Sequence, residues 1–247
     1  MAKRPQIHSS QTMISLGDEQ QVLDVVANSI LGLWDVVNNL TRLQPTHRER
    51  YRVTIFGSAR IPETHWVYAA VRDVAEELTR LGCDIVTGGG PRLMAAANEG
   101  TKRADPDALK RSVGIRVQLP FEQDVNAFVT QAYEHRTFFT RLHQFVLMSD
   151  AFVVMPGGIG TVLEAMMIWQ LLQVGHLHGT PLILVGKMYA DLVAWCEHNM
   201  LRPELGLAHP EDIALPKCVD DGPGVLRIVR EHYDIWEQAR SAATDVC

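Results

Sequence analysis

The sequence predicts an α/β fold in which helices cover both faces of a parallel sheet. Three observations predict it. Short apolar runs such as RVTIF, CDIVT, AFVVM and PLILV alternate with helical stretches of about ten or more residues. The runs are unbroken, not alternately apolar and polar, which is the pattern of strands buried on both faces. No internal repeat or low-complexity linker divides the 247 residues, so one domain with an N-terminal extension accounts for the length.

Residues 1–16 read as a polar, flexible tail. Residues 17–43 read as one amphipathic helix, with Leu23, Val26, Ile30, Leu33, Val37 and Leu40 recurring at threes and fours. Val22, Val25, Trp34 and Val36 widen that face, which suits either packing on the main domain or a subunit contact. Residues 51–240 are expected to form a single Rossmann-like domain, a doubly wound parallel sheet. RVTIF is its first strand and ends in Gly57-Ser58-Ala59-Arg60. A helix follows from about Glu63 to Leu81, with Gly82 as its C-cap. CDIVT runs into Gly88-Gly89-Gly90-Pro91, and a helix then extends to Ala104. SVGIRVQL and FVTQAY are the next strands, and Thr137 to Ser149 is helical. AFVVM enters Pro156-Gly157-Gly158, followed by a helix to Gln173. PLILV is a strand and Tyr189 to Met200 a helix. Pro203 to Pro216 reads as a loop with room for one short strand, before a last helix from Pro223 to Arg240.

The composition narrows the partners. A formal charge of −6 and a pI near 5.9 argue against nucleic acid and against a membrane surface, both of which favour a basic face. No apolar run reaches the roughly 18–20 residues of a membrane span. The N-terminal MAKRPQIHSSQTM has no apolar core of a signal peptide. Cys83, Cys196, Cys218 and Cys247 stand far apart, as expected of reduced thiols in a cytoplasm. His176 and His178 are the only close histidine pair, too few ligands for a metal site, so no metal is expected.

Three strands end in small-residue turns: FGSAR, TGGGP and MPGGIGT. In an open parallel sheet, ligands bind beyond the carboxyl ends of the strands, where these turns gather. A glycine turn lets backbone amides approach an anion, and the next helix adds its free N–H groups and positive dipole end. Thr161 offers a further hydroxyl donor. Neither the G-x-G-x-x-G fingerprint nor the P-loop is present, so spacing alone specifies a phosphate-bearing small molecule. Glu164 falls one helical turn past the glycines. It is either a cleft carboxylate or an acid that merely suits the helix dipole.

MPGGIGTVLE resembles the PGGxGTxxE motif of the Lonely-Guy (LOG) family, TGGGPRLMAAANEGT its GGGPGxMxAANxGA segment, and FGSAR its first-strand turn. LPFEQ, Asn126 and FFTR resemble the LPxEQ…N…FFxRK stretch of one branch, so the likeness covers about residues 51–200. The family was often labelled lysine decarboxylase-like. Its characterised members are nucleoside 5′-monophosphate phosphoribohydrolases, some of which release active cytokinins. The resemblance implies that Arg141 and Glu164 are the catalytic pair. It implies substrate contacts from Gly57 and Ser58 in the first turn, from Gly88, Gly89 and Gly90 in the second, from Glu122, and from Gly157, Gly158, Gly160 and Thr161 in the third, with Arg92 expected as a further contact peculiar to this chain. It implies no cofactor and a homodimer or higher homo-oligomer. Two positions depart from the pattern: the usual Lys after the catalytic Arg is Leu142, and the usual Gly after GGGP is Arg92. Residue 142 is expected near the same cleft as the PGG turn, with Arg92 compensating for the missing cation. From the residues alone, Arg141 also suits an ordinary surface, Ser58 a plain turn, and Glu122 and Asn126 a solvated loop. A carrier of nucleotide or molybdenum cofactor remains a second reading. A pyridoxal-dependent decarboxylase does not fit, because Lys187 is the only lysine near a strand end and none lies by the glycine turns.

Overall fold

The computed structural model describes residues 19–28, 49–107, 111–117 and 125–244. The chain divides into two compact units, residues 1–46 and 47–247. In the first, residues 19–28 are helical (α1), with Leu23, Val25 and Val26 exposed. The remainder of the expected 17–43 helix lies outside the described residues.

The second unit is a seven-stranded, wholly parallel sheet in the order β4-β3-β2-β1-β5-β6-β7. The strands are β1 (Arg52–Phe56), β2 (Asp84–Thr87), β3 (Ser112–Val117), β4 (Gln131–His135), β5 (Ala151–Val154), β6 (Leu182–Val185) and β7 (Pro216–Val219). The helices are α2 (Trp66–Leu81), α3 (Leu93–Ala104), α4 (Phe138–Met148), α5 (Ile159–Gln173), α6 (Lys187–Met200), α7 (Pro210–Ile213) and α8 (Gly222–Thr244). The doubly wound Rossmann-like architecture is therefore the observed one.

Successive strand residues feed opposite cores, as the two-residue period of a strand requires. Val53, Ile55, Val153 and Ile183 pack with α2, α3 and α8. Phe56, Phe152, Val154 and Leu184 pack with α4, α5 and α6. This explains the unbroken apolar runs, since neither face of the central strands meets water.

Element boundaries differ locally, each for a visible reason. α2 begins three residues later than expected, because His65 Nδ1 accepts from Val67 N and caps it there. Gly82 ends it at φ 111°, a backbone conformation suited to glycine. The fourth strand is Gln131–His135 and not FVTQAY, because Asn126 Oδ1 accepts from Phe128 N and holds the preceding residues in a turn. The expected loop before the last helix contains α7, with the short strand β7 beginning at its end.

Candidate active site

The strand order reverses between β1 and β5, so their C-terminal ends open a crevice there. The three glycine turns follow β1, β2 and β5, which are neighbours in the sheet. They are joined through Ser58. Its N–H donates to Pro156 O at 3.2 Å and its carbonyl accepts from Leu93 N at 3.2 Å. Its backbone thus links the first turn to the other two, while its Oγ accepts from Arg60 N at 3.0 Å within the turn.

Arg141 comes from α4 and Glu164 from α5, and their side chains meet with Nη1 and Oε1 3.5 Å apart. Both are largely withdrawn from water, at 13% and 12% side-chain exposure. Thr137 caps α4 by accepting from Thr140 N, which sets the helix phase that turns Arg141 inward. The guanidinium is held further by Nε donating to Ile115 O at 2.9 Å and by the Phe145 ring, 5.4 Å away. Arg141 is accordingly no ordinary surface residue. Burial raises the Glu164 carboxyl to about 7, against the pull of the Arg141 cation. This carboxyl changes charge near neutrality, as a group that both holds and releases protons must.

The glycines fit around this pair in distinct ways. A Cβ at Gly88 would collide with the Arg141 guanidinium, so the second turn closes directly over it. A Cβ at Gly157 would collide with Thr161, whose side chain is buried against the turn. At Gly158 and Gly160 a Cβ would meet nothing within 4 Å. No packing among the described residues accounts for those two glycines, and their backbone is left open to approach from outside. Gly158 is the N-cap of α5 and offers no side-chain cap to the first amides of that helix.

Beside the pair lies a cleft of about 560 Å³ lined by Gly88, Gly89, Gly90, Arg92 and Arg116, among others. Arg92 is the one non-glycine residue with positive φ among the described residues, at φ 61° and ψ −120°. The chain thus keeps a backbone shape favoured by glycine while placing an arginine in it. Its guanidinium reaches Glu63 at 3.2 Å on the exposed rim. Leu142 is 7% exposed, so the side chain expected near the same cleft as the PGG turn is a buried one. A cation at 142 would have to leave the core to reach that turn. Gly57 packs against Leu93, where a Cβ would sit 3.0 Å from the leucine Cβ. Glu122 lies outside the described residues.

Several residues organise the turns without being expected as substrate contacts. Asn98 is fully buried; its Oδ1 accepts from Thr87 Oγ1 at 2.8 Å and Asn126 Nδ2 at 3.0 Å, while its Nδ2 donates to Ser112 Oγ at 2.8 Å. Thr87 Oγ1 in turn accepts from Gly89 N, and Asn126 Nδ2 donates to Gly90 O. This network fixes the GGG turn, so Asn126 is structural and not a solvated loop residue. The usable signal was a lone Asn inside the AAANEG run. His135, at the end of β4, has its Nε2 buried with no hydrogen-bond partner among the described residues. Burial and the nearby Arg141 charge lower its affinity for a proton. Among the described residues, no group of three or more His, Cys, Asp or Glu side chains is arranged to hold a metal. Lys187 sits in solvent, paired with Asp191 at 2.6 Å.

The family described as possible lysine decarboxylase matches residues 94–229, more than half of the chain. The protein belongs to this LOG-like family. No curated protein sequence matches significantly. Solved structures share the fold. The molybdenum cofactor binding protein of Rippkaea orientalis superposes with a TM-score of 0.55 at 15% identity, over 75% of this chain and 98% of that one. The Moco carrier protein of Chlamydomonas reinhardtii gives 0.53 at 18% identity, over 74% and 98%. At such identities the likeness establishes the LOG-like fold and leaves function to the site. Among the described residues, no helix is long and apolar enough to cross a membrane.

Proposed function

We propose that this LOG-like protein hydrolyses the N-glycosidic bond of a nucleoside 5′-monophosphate, AMP or an N6-modified adenine nucleotide, to free base and ribose 5-phosphate. The observation that carries the reading is the buried Arg141–Glu164 pair beneath the glycine turns, with its carboxyl raised to about 7. The glycine turn at Gly157 to Thr161 and the N-terminus of α5 hold the 5′-phosphate. Water attacks the anomeric carbon as the C–N bond breaks, and the bonding pair leaves with the base. The ribosyl group becomes cationic in that transition state, and the Glu164 carboxylate opposes the charge while orienting the water. Arg141 holds Glu164 in place as a fixed fork of donors. The proton lost by water passes through Glu164 to the departing base, and a carboxyl raised to about 7 suits both directions of transfer near pH 7. Apolar residues such as Phe139 and Ile159, 84% and 88% exposed, support assembly as a homodimer or higher oligomer.

A second reading rests on a specific observation. Leu142 and Arg92 alter the cations around the phosphate site, and proteins of this fold include molybdenum cofactor carriers. A non-catalytic nucleotide or cofactor carrier would have no use for a carboxyl poised near neutrality. Incubation with AMP, GMP, CMP and UMP, followed by chromatography for free base and ribose 5-phosphate, separates the two. Product from at least one nucleotide is expected. Saturable nucleotide binding with no product would favour the carrier.

A further inference from the structure

Behind the PGG turn is a second cleft, of about 360 Å³, between the N-terminal parts of α2 and α8. Val67, Val71, Val74, Met155 and Leu226 line it with apolar surface. Its rim has a different character. Asp73, Glu77, Asp220 and Asp221 all contribute, and among the described residues no Lys, Arg or His does. Trp66 stands at the edge with 74% of its surface exposed.

Part of this rim has internal duties. Asp221 Oδ1 accepts from Gly224 N at the start of α8, Asp73 pairs with Arg72 at 3.1 Å, and Glu77 pairs with Arg80 at 2.6 Å. Asp220 has no hydrogen-bond or ion-pair partner among the described residues, and Trp66 leaves its indole in water. An apolar floor, an exposed indole flanked by the His65 ring at 5.8 Å and an excess of carboxylates together match one ligand chemistry. The ring face attracts a cation, the carboxylates raise its local concentration, and the floor takes its hydrocarbon body. The cleft beside the Arg141–Glu164 pair is opposite in kind, since among the described residues Arg92 and Arg116 face Glu63 alone of its charged lining groups.

We propose that this cleft is a separate binding site for an organic cation, an ammonium group carried on an apolar or aromatic body. The inference goes beyond the hydrolase reading and does not depend on it. Met155 and Pro156 form one wall of the cleft and lead directly into Gly157, so the ligand rests one residue from the glycine turn.

The test uses the full chain and two compounds of one shape and opposite charge, 4-phenylbutylamine and 4-phenylbutanoate. Binding is followed by NMR at the indole N–H of Trp66, assigned by its loss in Trp66→Phe. The amine is expected to shift this resonance saturably, and the carboxylate to leave it unchanged at equal concentration. Inorganic phosphate does not displace the amine. Trp66→Ala weakens amine binding about two- to fivefold, the range for an exposed cation–ring contact. Asp220→Asn with Asp221→Asn, which retains a capping acceptor at 221, weakens it about fivefold, as loss of two exposed charge contacts implies. Equal binding of amine and carboxylate would overturn the proposal. So would an absence of amine binding, a shift at other indoles but not at Trp66, or wild-type affinity in the double Asn variant.

Discussion

Replacing Glu164 by glutamine is expected to stabilise the protein in alkali while removing its activity. An ordinary carboxyl titrates at 4.5, and this one is raised to about 7 by burial despite Arg141. Between those values the folded state binds more protons than the unfolded state, so stability falls as pH rises through the window. At about 1.4 kcal/mol for each pH unit, the loss is about 3 kcal/mol once Glu164 is fully ionised. Glutamine resembles the protonated carboxyl and never incurs that cost. Arg141 keeps its bond to Ile115 O and its contact with Phe145 in either case. Urea unfolding at pH 4 and pH 8 measures the difference. The two proteins should be equally stable in acid, with the variant ahead by about 3 kcal/mol in alkali. Its turnover of the best nucleotide should fall about a hundredfold to a thousandfold, as for loss of a group that stabilises transition-state charge. Wild-type turnover itself should rise with pH through about 7, as the carboxylate forms. A variant no more stable than wild type at pH 8 would refute the buried-charge argument, and one with full turnover would refute the catalytic role.

Other consequences follow from single contacts. AMP should be cleaved far faster than adenosine, because the amides at the α5 N-terminus have no work to do without the phosphate; equal rates by product chromatography would exclude a phosphate cradle. Gly88→Ala should lower turnover at least about tenfold with little change in melting temperature, because the new methyl displaces the Arg141 guanidinium by steric overlap; unchanged kinetics would show that the pair tolerates the shift. Arg92→Gly should stabilise the fold by about 1 kcal/mol by relieving its positive φ, while raising the KM for nucleotide; an unchanged KM would make Arg92 a rim residue only. Deleting residues 1–43 should change either the mass in solution or the unfolding midpoint, and no change in both would contradict an interface and a packing role alike.

The sequence by itself determined the class of fold and where its chemistry gathers. Unbroken apolar runs already state that both faces of the sheet are covered, because the two-residue period forces each strand to serve two cores. Glycines at three strand ends already state that three small-residue turns meet at one edge, because parallel strands all finish there. Glu164 was marked by its place one helical turn past the glycines, whereas Arg141 was legible only through likeness to family motifs, since an arginine on a helix has no periodic signature. Tertiary structure decided what those residues are to one another. Their 3.5 Å approach joins two helices separated by the strand β5, and the burial that raises Glu164 comes from the assembled layers. The Asn98–Thr87–Asn126 network was hidden for the same reason, because its three members come from a helix, a strand and a loop. Arg92 and Leu142 divide along this line as well. Both departures are plain in the sequence, but only the fold sets one on the rim of a cleft and the other in the core. Local pattern reports which face of an element is apolar, whereas charge, strain and proximity depend on what the rest of the chain brings against it.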